Sequence, residues 1–136
     1  MGFDQYHEPP EELPAATRTF ARLCASLTEE AEAIGWYEQR IAVETDPEAL
    51  AVMRDAQGEE FKHFSMDLEF LLRRKPRWRE IAQGILFQEG DIVEHGEEAE
   101  AEAEPESGAE AHSTHPPGPI DTSGSLGIGG LKGVPE

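Results

Sequence analysis

Two rows of residues recur every seven positions through the first part of the chain. Phe20, Leu27, Ile34 and Ile41 make one row, begun by Leu13, and Ala16, Leu23, Glu30 and Tyr37 make the other. Rows at this spacing form one apolar seam along a long helix, and another helix has to cover it. The spacing predicts a helix over residues 11–44. One member of the seam is a glutamate, Glu30, whereas its neighbours Glu29 and Glu32 fall off it.

The run Thr45-Asp46-Pro47-Glu48 breaks this pattern. Thr45 or Asp46 can cap a second helix, proline suits its first position, and Glu48 complements its positive end. So short a connection implies an antiparallel hairpin. The second helix is expected to reach residue 74, with Leu50, Met53, Ala56, Phe64, Leu68 and Leu71 on its buried side. Glu60 lies in the same stripe, seven after Met53 and four before Phe64, and His63 follows one turn later. Glu59 faces outward, placed to pair with Lys62. Pro76 ends this helix, and Trp78, Ile81, Ile85 and Leu86 predict a short third one, weakened by Gly84.

Composition bounds the folded part. All ten aromatic residues lie between Phe3 and Phe87, and from Gln88 onward twelve acids face one base, Lys132. A segment without aromatics, rich in Glu, Gly, Pro and Ser, cannot bury enough surface to offset its ordering entropy. Folding is therefore expected to stop near Phe87. A hairpin of that size is marginal alone, which favours oligomerisation. Cys24 is the single cysteine, which cannot form an internal disulfide and fits a reducing cytosol. The opening MGFDQYHEPPEELP has no apolar run, predicting no signal peptide. No stretch reaches the ~18 apolar residues of a membrane span. A net charge of −18 argues against nucleic acid and favours cations as partners.

A charged carboxylate in an apolar seam is costly unless it is paired or bound to a cation. Glu30 and Glu60 are two such carboxylates, with His63 one turn from the second. Two readings fit: a wider seam whose acids are solvated, or a metal site. Ferritin-like di-iron sites take one Glu from each of two helices and a Glu-x-x-His from each of two others. This chain offers one of each. That is half a site, and a twofold-related copy would supply the rest.

The segments EEAEAIGWYEQR, TDPE, EEFKH and SLGIGGLK together resemble encapsulated ferritin, the ferritin-like cargo of encapsulin nanocompartments. With the hairpin above, the resemblance implies an all-α fold over residues 1–90. That fold is an antiparallel two-helix hairpin plus a short C-terminal helix, dimerising into a ferritin-like four-helix arrangement. A disordered acidic, Pro/Gly-rich linker over 91–124 and an encapsulin targeting peptide over 125–136 would follow, the latter carried by Leu126, Ile128 and Leu131. The resemblance further implies ferroxidase ligands at Glu30, Glu60 and His63, with two Fe ions at each dimer interface. Glu29 and Glu32 would form a secondary uptake site for calcium or another divalent cation, or else a solvated acidic face. Tyr37 would lie beside the metals and Trp36 close by, or both would pack an interface. Dimers would join into a ring-like decamer that oxidises Fe(II) with O₂. The iron would then mineralise inside an encapsulin shell in the cytoplasm.

Two rival functions fit some of these features: a non-enzymatic helical adaptor carried by encapsulin, and a rubrerythrin-like peroxidase. One cysteine and one Glu-x-x-His argue against the second. The basic cluster Arg73, Arg74, Lys75, Arg77 and Arg79 is expected to complement the negative end of the second helix and to meet acidic neighbours. His95, His112 and His115 are too irregularly spaced to form a metal site.

Overall fold

The computed structural model describes residues 6–106, whose regular structure is entirely helical: α1 (Ala15–Val43), α2 (Pro47–Leu72), α3 (Pro76–Ile85) and α4 (Ile92–Glu102). α1 packs on α2 and α3 packs on α4, while α2 and α3 scarcely touch. The expected helical hairpin and the short helix after it are both present.

Prolines set the helix ends. α1 begins at Ala15 rather than residue 11, because Pro14 is extended (φ −54°, ψ 147°) and pushes the residue before it out of the helical region. Residues 9–13 form turns instead, with Glu12 N–H donating to Pro9 O (3.0 Å) and Leu13 N–H to Pro10 O (3.3 Å). Asp46, not Thr45, caps α2, its Oδ1 accepting from Ala49 N–H at 2.8 Å. The Glu44 carboxylate accepts from the N–H groups of Asp46 (2.9 Å) and Thr45 (2.8 Å), which lowers its pKa. α2 stops at Leu72, two residues short of expectation, because Pro76 holds Lys75 outside the helix (φ −130°, ψ 86°).

The segment expected to be a disordered linker from residue 91 starts instead as a helix. Asp91 caps α4, accepting from Val93 N–H (2.8 Å) and Glu94 N–H (3.0 Å), which lowers its pKa. Without aromatics, α4 buries small residues: Ala99 and Ala103 are covered by α3. A Cβ added at Gly84 would lie 2.5 Å from the Cβ of Ala99. Gly84 is therefore the notch into which α4 fits, not a weak point of α3. Arg77 Nη1 donates to the carbonyls of Ala103 (2.8 Å) and Glu104 (3.3 Å) and so closes the end of α4. The rest of the basic cluster is also engaged within the chain. Arg73 and Arg79 bind Glu69 at 2.8 and 3.1 Å, Lys75 meets Glu106 at 3.8 Å, and Arg74 donates to Phe70 O at 3.0 Å.

Gly84→Ala is expected to free α4 from α3, since overfilling a packed contact costs about 1–3 kcal/mol. Amide exchange over residues 93–102 should quicken while α1 and α2 keep their protection. Unchanged protection in α4 would refute the notch.

The α1–α2 hairpin encloses little by itself. Leu71 is fully buried, and Ala25 and Leu72 nearly so. Phe20, Leu23, Leu27, Ile34, Tyr37 and Ile41, the seam of α1, are only half-buried. Trp36 and Phe61 are about half exposed, at 53% and 51%. One partner helix covers one flank of the seam and leaves the other open.

Candidate metal centre

Glu60 and His63 share one face of α2, since residues three apart on a helix project the same way. Glu30 meets them from α1. One ligand atom from each of the three lies within 4.8 Å of the other two. His63 Nδ1 is 3.4 Å from Glu60 Oε2 and 4.0 Å from Glu30 Oε2. The Glu30 and Glu60 side chains are 23% and 22% exposed and His63 is 46% exposed, so the cluster is half-sunk with an open outer side.

The two carboxylates interact directly. A hydrogen bond to Glu60 raises the pKa of Glu30, and partial burial and the charge of Glu60 add to the rise. Glu60 is lowered in turn, first by accepting that hydrogen bond and then by His63. The two carboxylates and the imidazole thus crowd one point where a cation could stand. Two carboxylates and an imidazole are a donor set suited to iron and similar divalent metals.

Among the described residues, Glu30, Glu60 and His63 are the metal-capable side chains that converge in this way; Glu29 and Glu32 stand exposed on α1 and do not join them. Glu59 pairs with Lys62 across one turn, as its outward position predicts. Tyr37 is half-buried under the Arg40 guanidinium, 5.4 Å from its ring centre, and Trp36 is exposed beside Gln39 and Arg40. Leu126, Ile128 and Leu131 lie outside the described residues.

Sequence reasoning passed over Gln57, which is buried between the helices. It belongs to the α2 stripe, four after Met53 and three before Glu60. That periodicity was the signal that could have found it.

Fold and cluster together define a ferritin-like helical protein with a carboxylate–histidine site. Residues 5–89 match the family described as EncFtn-like; the chain belongs to that family. It is 40% identical over 127 residues to an encapsulated ferritin-like protein of Rhodospirillum rubrum, covering 93% of this chain and 87% of the relative. It is also 40% identical over 101 residues to a ferritin-like protein of Thermotoga maritima, covering 74% and 89%. Among solved structures it resembles the protein ne0167 of Nitrosomonas europaea, with a TM-score of 0.64 and 36% identity over 66% of this chain and 99% of that one. Family membership makes the function ferritin-like and iron-related.

Proposed function

We propose that the protein is a ferroxidase whose di-iron site is shared by two copies of the chain. The observation that carries this reading is the convergence of Glu30, Glu60 and His63 on one point of the open seam. Three donors from one chain are too few for two metals, and a twofold-related copy brings an identical set. The half-buried seam around the cluster is the surface such a copy would cover.

Two Fe(II) ions are the substrates: each gives up one electron, and one O₂ takes both. The carboxylates of Glu30 and Glu60 would hold the iron and stabilise the higher charge of Fe(III). His63 adds a neutral nitrogen donor through the ring atom that faces the two carboxylates. Glu29 and Glu32 attract hydrated cations, calcium included, toward the site, and Trp36 and Tyr37 line the contact between copies. Dimers build a ring-like decamer. The tail of residues 125–136 directs it into an encapsulin shell in the cytoplasm; the name of the Rhodospirillum relative, an encapsulated ferritin-like protein, supports the enclosure.

Oxygen-electrode traces test the activity. Fe(II) added to the protein should drive O₂ uptake well above the buffer rate. No acceleration would leave the non-enzymatic adaptor as the better reading.

Metal should also promote assembly. Two copies bring four carboxylates into one seam, and their repulsion opposes pairing until cations neutralise it. Chelated protein should shift toward monomer, and Fe(II) should restore the ring. Light scattering that gives the same mass with and without metal would count against a shared site.

A further inference from the structure

Gln57 is the one polar side chain buried among the described residues, at 8% exposure. Its Nε2 donates to the Ile34 carbonyl at 3.3 Å and to Glu38 Oε2 at 2.9 Å. Both acceptors belong to α1, so both bonds cross the hairpin. Among the described residues these are the hydrogen bonds that join α1 to α2 outside the Glu30–Glu60–His63 cluster.

An apolar seam built on sevens tolerates sliding. A smaller shift or roll of one helix against the other, within what the short connection between Val43 and Pro47 allows, would exchange one apolar contact for another at little cost. It would also carry Glu60 and His63 away from Glu30. A buried amide removes this freedom, because it is satisfied in one register and left unpaired in the others. Gln57 stands one turn from Glu60, and Ile34 one turn from Glu30, both toward the hairpin loop. The crossing bonds are therefore the neighbours of the cluster along the seam. The amide thus ties the two helices together one turn from the level at which Glu30, Glu60 and His63 meet.

We infer that Gln57 is a positioning residue: its bonds to Ile34 and Glu38 set the axial register of α1 against α2 and thereby bring Glu30 to Glu60 and His63. The inference rests on the reading of those three residues as metal ligands.

The test is an anaerobic Co(II) titration of the full chain, followed by visible ligand-field absorption. Co(II) reports ligand geometry without any turnover. Gln57→Met keeps the side-chain volume and removes both bonds. It should leave helicity and thermal midpoint at or above wild type, weaken Co(II) binding about tenfold, as loss of an outer support typically does, and alter the band. Glu38→Gln retains an acceptor oxygen and should keep the wild-type band and affinity. If Gln57→Met loses helicity, Gln57→Asn, whose amide falls one methylene short, carries the same expectation. A folded Gln57 variant with wild-type affinity and band overturns the inference alone. A wild-type protein that gives no Co(II) band overturns the metal-site reading and this inference with it.

Discussion

Fe(II)-dependent oxygen uptake by His63→Ala protein is expected to fall by more than about a hundredfold, with Glu30→Ala and Glu60→Ala close behind. Loss of an outer hydrogen-bond partner of a metal ligand already costs ~10–100-fold in affinity or activity, and these substitutions remove the proposed ligands themselves. In a site shared by two copies, each change also strikes twice. Among the described residues no fourth donor joins the three that converge within 4.8 Å, so none of them stands ready to replace the one removed. Glu29→Ala and Glu32→Ala should alter the rate without abolishing it, since both stand outside the cluster. Stopped-flow absorbance of Fe(III) formation, run beside the oxygen electrode, separates the two classes. Full activity in His63→Ala protein would end the di-iron assignment.

Replacing Leu126, Ile128 and Leu131 together with Ser should empty co-expressed encapsulin shells of this protein while leaving ferroxidase activity near wild type. Burial of one large aliphatic side chain contributes roughly 1.5–3 kcal/mol. Three such losses weaken a short peptide's attachment by about a thousandfold or more. The glycines between these residues carry no side chain that could add contact area. Lys132→Ala should matter less, because an exposed charge contributes little. The measurement is the ratio of cargo to shell protein in purified compartments. An unchanged ratio for the triple-Ser chain would move the address elsewhere, with the acidic segment before it as the next place to look.

Features with a short sequence range were legible before any coordinates. The seam on sevens, the break at Thr45–Glu48 and the stop at Pro76 are local properties of periodicity, capping and proline geometry, and each appears where it was expected to within a few residues. Proline accounts for two of the deviations, at the start of α1 and the end of α2. The candidate site was legible for a related reason. Glu30 and Glu60 sit at positions where the period demands apolar residues, and a violated pattern stands out without knowledge of the fold.

What sequence could not supply were contacts made between distant residues by unremarkable side chains. Residues 92–102 carry acids, alanines and no aromatics, a composition that argues for disorder when the segment is weighed alone. They form α4 because Gly84 leaves a notch that Ala99 fills and Arg77 takes the carbonyls at the helix end. Neither partner signals this by itself. Gln57 is similar: a glutamine at a seam position is ordinary until the Ile34 carbonyl and Glu38 are found opposite it. Sequence alone determined that two helices pair and which carboxylates they bring into the seam, since periodicity and the cost of enclosed charge act along one chain segment. Tertiary structure alone decided the register at which those helices meet and the existence of the fourth helix, because both depend on which surfaces fit together once the chain has folded back on itself.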